Sequence, residues 1–248
     1  APSHPELLEW LAAELAGTSD LKSQISDLRS QISGIPQAWS LKRLHRAIML
    51  SATYRQDSTL NEAALEADPD NRWLWRYPIR RLDAEAIRDG MLSVSGELDR
   101  RFGGPYIPTQ RSSAAEVLIA ESQPGAKRRS VYLQQRRTQT VSLLNLFDAP
   151  SVTFNCVQRP TTTMPLQSLS LLNSEFALAR ARELANRLDA ESTPTPRHRI
   201  RLAFELSSGR LPNDEELRHS LHFIEEQTRL YEPAPDASLK AWSDLCQM

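Results

Sequence analysis

The sequence predicts a mainly α protein, a multi-helix globular unit with at most a small β element. Three observations carry this. Glycine is scarce, at 8 of 248 residues. Leu, Ala, Glu and Arg, all good helix formers, dominate the chain. Apolar residues recur three and four positions apart in several long windows that open on capping residues.

Pro5, suited to a first helical turn, opens the first such window, with Leu7, Leu8, Leu11 and Leu15 at helical spacing. Asp20–Ser26 (DLKSQIS) and Asp27–Ser33 (DLRSQIS) then form a tandem duplication differing at Lys22 and Arg29. Leu21, Ile25, Leu28 and Ile32 fall on a heptad-like seam, but a coiled coil usually needs about three or four heptads. Residues 17–38 therefore read as a short inserted segment that Gly34 and Pro36 close.

Ser40 caps the next helix, with Leu41, Leu44, Ile48 and Ala52 along one face. Residues 57–70 read as polar loop, and Pro78 ends any helix through Trp73, Trp75 and Tyr77. A helix is expected over 83–94 with Ala86, Ile87, Met91 and Val94 inward. Residues 103–105 form a turn and 106–125 an irregular stretch. Val131 and Leu133 alternate with polar neighbours, which makes 130–134 the best strand candidate.

A short helix follows at 140–147. A longer one starts at Pro165 and runs to about 188, with Leu169, Leu172, Phe176 and Ala179 inward. After a linker at 192–196 come helices at about 197–208, at 214–230 behind the Asn213 cap, and from Ala237 onward. We divide the chain into a main helical region, 1–188, and a C-terminal helical part, 197–248.

Lys+Arg 30 against Asp+Glu 31 leaves a net charge of -1, so the molecule as a whole has no strong pull toward nucleic acid or an anionic membrane. No apolar run is long enough for a membrane span. The chain carries no Cys-x-x-Cys-His haem motif, phosphate-binding loop, dinucleotide glycine fingerprint, zinc helix or nucleophile elbow. No catalytic residue, metal ligand or cofactor is therefore assigned. Cys156 and Cys246 read as separate thiols, with a single disulfide as the alternative.

Four patterns bear on chemistry. Glu215, His219, His222 and Glu226 share one helical face, but Leu217, Leu221 and Ile224 claim the opposite face for the core, so the stripe points to water. Lys127, Arg128, Arg129, Arg136 and Arg137 lie in a stretch without acids and form a candidate anion-binding segment; arginine forks suit carboxylate, sulfate or phosphate. The alternative is that these cations pair with acids such as Asp148 or Glu85. Trp73, Trp75 and Tyr77 form a candidate aromatic platform for sugar rings, or else belong to the core beside Leu74 and Ile79. Asp83, Glu85 and Asp89 alternate with Arg80, Arg81 and Arg88 and read as surface ion pairs.

Long motifs run through the chain in order: Ser51–Gln56 (SATYRQ), Asp68-Pro69, Leu74-Trp75-Arg76, Glu85–Asp89 (EAIRD), Gly103-Gly104-Pro105, Arg128–Leu133 (RRSVYL), Leu146-Phe147-Asp148, Arg159-Pro160, Pro165-Leu166-Gln167, Leu171-Leu172-Asn173, and Trp242 through Cys246. In these the chain resembles the planctomycete PSD domain of unknown function. The resemblance implies a large exported protein of the periplasm or envelope, with an upstream cytochrome c-like domain and a second domain of unknown function as neighbours. It implies that any covalent haem lies outside this chain, and it supplies no catalytic residue. The duplicated heptads depart from the family pattern as an insertion. The expected function is a non-catalytic accessory or scaffold domain. The alternatives are an anionic polysaccharide-binding module and a hydrolase or oxidoreductase with an unrecognised site.

Overall fold

A computed structural model describes residues 3–17, 38–113, 115–150, 156, 159–192 and 195–248. Among them are eleven α-helices and a two-stranded antiparallel sheet, with 55% of the structure helical. The fold is mainly α, as the composition and periodicity predict. The duplicated heptads lie outside the described residues. Two compact units divide between Arg80 and Arg81.

The first unit contains helices α1 (Pro5–Ala16), α2 (Leu41–Leu50), α3 (Ala52–Arg55) and α4 (Glu62–Ala67). Pro5 opens α1 and Gly17, at φ 77°, closes it in the left-handed conformation. Ser40, Ser51 and Asn61 each accept a backbone N–H with the side chain and so start α2, α3 and α4. Ser51 also ends the preceding helix, so Ala52 does not continue the α2 stripe, and α4 appears inside a stretch read as loop. Asp68 organises the loop after α4. Its carboxylate accepts the N–H groups of Arg72 and Trp73, and its carbonyl accepts the Trp75 indole N–H at 2.9 Å. Asn71, at φ 52°, clasps both backbone groups of Arg76.

The second unit contains α5 (Ala84–Val94), β1 (Gln110–Arg111) paired with β2 (Val117–Leu118), a 3₁₀ turn (Ser130–Tyr132), α6 (Ser142–Leu146), α7 (Pro165–Asn173), α8 (Glu175–Glu191), α9 (Pro196–Ser208), α10 (Asp214–Tyr231) and α11 (Ala237–Gln247). It has two cores. One joins α8, α9, α10 and α11 through Leu184, Leu188, Ile200, Leu217, Ile224 and Trp242. The other gathers Ala84, Ile107, Leu133, Val141, Leu144 and Phe147 around α5 and α6.

The structure corrects several expectations here. Residues 130–134 are not a strand. Ser130 donates its N–H and its hydroxyl to Asp89, the chain turns there, and Leu133 N–H bonds to the Ser130 carbonyl. Only then does the backbone extend, so that Ile107 N–H bonds to the Tyr132 carbonyl and Gln134 N–H to the Ile107 carbonyl. The sheet lies instead within 106–125, where Val117 is buried. On α5 the buried face is Ala84, Arg88 and Leu92, and Ala86 faces water. The helix from Pro165 breaks at Ser174, whose hydroxyl caps α8 through the Ala177 N–H. The break resets the helical phase and leaves Leu169 and Leu172 exposed, while Ala177, Arg180, Ala181 and Leu184 turn inward.

The α10 start is a reciprocal cap. Asn213 Oδ1 accepts the Glu216 N–H and Glu216 Oε2 accepts the Asn213 N–H, each at 2.8 Å. Arg210 holds the same Glu216 carboxylate with two bonds, at 2.7 and 2.6 Å. Asn213→Ala is expected to cost about 1 kcal/mol, read as a downward shift in the urea midpoint at unchanged slope.

Candidate functional site

The chemistry-bearing side chains of the second unit gather where loop 97–133 meets α5 and α8. Arg88 stands at the middle of the buried α5 face, only 2% exposed. It donates Nη1 to the Arg128 carbonyl at 3.0 Å and to Ser130 Oγ at 3.2 Å, and Nη2 to the Ala126 carbonyl at 2.6 Å. Asp89 Oδ1 lies 3.5 Å from the same Nη1 and accepts both Ser130 bonds, at 2.8 and 2.6 Å. Burial pulls the Arg88 guanidinium below its ordinary range, and the Asp89 and Glu121 carboxylates oppose the shift. An arginine keeps its charge regardless, so the carbonyls face a permanent cation.

Phe176 of α8 packs between two guanidinium groups, Arg88 at 5.6 Å and Arg180 at 5.2 Å from the ring centre. Arg180 reaches Glu97 at 2.9 Å and Glu121 at 3.0 Å. Lys127 also pairs with Glu97. Arg128 lies 3.9 Å over the Tyr132 ring and donates to the carbonyls of Pro105, at 3.2 Å, and Gly103. Tyr132 in turn accepts the Gly103 N–H at 3.0 Å. The lattice fastens a long loop by its own backbone.

The candidate anion-binding residues are therefore not brought together. Arg128 is buried in the loop and Lys127 is committed to Glu97. Arg129, Arg136 and Arg137 are exposed, and Arg136 contacts Gln139 at 3.2 Å. The acids considered as their partners are engaged elsewhere. Glu85 takes Arg159 at 2.6 and 3.3 Å, and Asp148 takes Arg81 at 2.5 Å together with the Thr162 N–H at 2.8 Å. Asp83 also faces Arg159, at 3.7 Å. Of the acids on α5, Asp89 belongs to the buried lattice and not to a surface ion pair.

In the first unit Trp73 is 71% and Ile79 81% exposed, so neither joins a core. Trp75 is half-buried beneath Arg76, at 5.0 Å, and Tyr77 meets Tyr54 edge-on at 5.6 Å. The three aromatics thus have different surroundings and do not form one flat platform. The Glu215, His219, His222 and Glu226 stripe is exposed, opposite buried Leu217 and Ile224, as its spacing predicts. No disulfide joins Cys156 and Cys246. Cys156 is exposed, and burial pushes the Cys246 thiol up to about 12.

Sequence reasoning missed Glu97, Arg101, Phe102, Glu121 and Arg180. Arg101 grips Asp99 through Nε and Nη2 at 2.6 to 3.0 Å. Phe102 is 99% exposed at the tip before Gly103. The one available signal was the Arg-Phe-Gly-Gly-Pro string, where a cation and an aromatic precede a forced turn.

Asp99 and Asp148 are among the carboxylates that give the unit an acid limit. The Arg101 guanidinium and its backbone N–H hold Asp99 at about 2. Arg81 and the Thr162 N–H do the same for Asp148, also at about 2. Their ordinary value is 3.8. Stability from both pairs is thus complete above that value and lost as pH falls through it toward about 2. The melting temperature is expected to drop over this window, and less steeply in Asp148→Asn. Asparagine tolerates the positive φ of 62° at this position. Calorimetry from about pH 5 to pH 2 measures the difference; identical slopes would show that Asp148 does not set the limit.

A family model for PSD1, described as a protein of unknown function (DUF1553), matches residues 1–224. No curated protein and no solved structure gives a significant match.

Proposed function

The chain belongs to the PSD1 family of proteins of unknown function, and from that premise we propose that it is a non-catalytic accessory or scaffold domain of a large exported protein. In this role it holds a cytochrome c-like module of the same protein near a partner or polymer. Any covalent haem belongs to that module.

One observation carries the reading. Helices α1 to α4 bury no side chain among the described residues, yet they leave Leu7, Leu8, Leu41, Met49 and Leu50 more than two-fifths exposed. Apolar helix faces in water are the usual mark of a surface that another polypeptide covers. The neighbouring domains of the parent protein are the proposed cover. The second unit supports the same reading, because its buried Arg88 and Arg180 guanidinium groups are spent on fixing a loop.

Hydrogen exchange compared between residues 1–248 and the full-length parent protein tests this. Amides of α1 and α2 are expected to exchange at least ~10-fold more slowly in the parent. Equal rates in both would overturn the scaffold reading.

The alternative, an anionic polysaccharide-binding module, draws support from the exposed Arg129, Arg136 and Arg137 and from the exposed Trp73. Saturable binding of a sulfated polysaccharide that is lost in Arg136→Gln/Arg137→Gln would favour it.

A further inference from the structure

Among the described residues three arginines are more than nine-tenths buried: Arg88, Arg180 and Arg128, at 2%, 6% and 8% exposure. The first two have carboxylates close by, Asp89 for Arg88 and Glu97 with Glu121 for Arg180. Arg128 differs. Among the described residues no carboxylate comes within ion-pair distance of it; its partners are two neutral carbonyls and the Tyr132 ring, and its Nε has none. Asp99 is near enough to feel the Arg128 charge, but its oxygens are held by Arg101. A desolvated cation without a counter-charge is unfavourable, and an arriving anion relieves it.

Arg128 lines a cavity of about 330 Å³ together with Arg101, Phe102, Gly103, Gly104 and Pro124. We propose that this cavity binds a small oxyanion, carboxylate or sulfate, carried on a ring that rests against Phe102. The charge balance favours it: two guanidinium groups face the cavity and one carboxylate, Asp99, offsets them. The Asp99 grip occupies Nε and Nη2 of Arg101 and so fixes the guanidinium plane, leaving Nη1 without a bond among the described residues. A pre-oriented fork is what a carboxylate or sulfate needs.

Gly104 brings the backbone up against the Arg128 guanidinium. A Cβ on Gly104 would stand in ordinary contact with the guanidinium, 3.5 Å from Arg128 Nη1 and 3.7 Å from Nη2, and φ 92° would strain any side chain there. Phe102 supplies the apolar wall beside the cations, and a fully exposed phenyl ring gains most from covering by another ring. Arg129, Arg136 and Arg137 do not line this cavity, so it is distinct from the exposed basic strip.

The test follows the amide signals of Gly103 and Gly104 and the Arg128 Nε–H signal by NMR in the intact chain, titrated separately with benzoate and inorganic sulfate. Both anions are expected to shift these signals saturably, with benzoate binding about 10-fold more tightly. Phe102→Ala should erase the benzoate advantage and keep sulfate binding. Arg101→Gln should weaken both about 10-fold, whereas Arg129→Gln should change neither. Arg101 and Phe102 are exposed, so both substitutions leave the core untouched. Shifts that stay linear to about 50 mM, or that are the same in Arg101→Gln as in Arg129→Gln, would overturn the site.

Discussion

Arg88→Met should lower the melting temperature of the chain by roughly 10 °C, corresponding to about 3–5 kcal/mol. Methionine approximates the volume of the aliphatic stem but supplies no donor. The Arg128 carbonyl, the Ala126 carbonyl and Ser130 Oγ all lose a bond at once in a place water does not reach. Replacing a buried ion pair with apolar groups is tolerated only when both sides are replaced, and here two of the three acceptors are backbone and cannot be. Arg88→Lys should recover less than half of the loss, because one ammonium cannot span carbonyls that a planar fork reaches from two nitrogens. Thermal denaturation followed by circular dichroism reads both variants. A drop of less than about 2 °C for the methionine variant would mean that loop 97–133 is held by something other than Arg88.

Trp242→Ala should cost a similar 3–5 kcal/mol or so, by a different route. Trp242 is 5% exposed on α11 and packs with Leu184, Leu188, Ile200 and Ile224, which come from three other helices. The Arg199 guanidinium covers its ring at 5.5 Å. Removing the indole leaves a void between α8 and α10 that rigid helices cannot close, and Arg199 loses the face it rests on. Trp242→Phe keeps part of the contact and should cost less than half as much. The check is the urea midpoint, which should fall while the slope stays constant. A lower slope instead would point to a change in compactness and not to a cavity.

The two variants separate what the sequence makes legible from what it does not. The α10 helix and its buried face, Leu217 and Ile224, follow from periodicity, and the Asn213 cap from residue type, because both signals are local and nothing overrides them. The α5 face was misread because an arginine was assigned to water by default. Arg88 goes inside since the loop brings it three acceptors, and that loop closes across some forty residues, a distance no local pattern spans. An unbroken helix would turn Leu169 and Leu172 inward, whereas one serine hydroxyl at 174 is enough to restart it. The 130–134 segment had the alternation of a strand, yet Asp89, far back in the chain, captured Ser130 and turned it. As for the candidate site, arginines 128, 129, 136 and 137 were picked on composition. Only geometry shows that one of them is buried without a counter-ion and that its companions at the cavity are Arg101 and Phe102.

The carbonyl acceptors chosen by Arg88 have a consequence for solution conditions. Ion pairs on the surface, such as Arg101 with Asp99 or Arg159 with Glu85, weaken as mobile ions gather around both members. Backbone carbonyls carry no net charge and draw no such atmosphere, and the buried Arg88 guanidinium is beyond its reach. The Arg88 clasp on loop 97–133 is thus set to the same strength in dilute buffer and in brine, while the ornament of charges around it comes and goes.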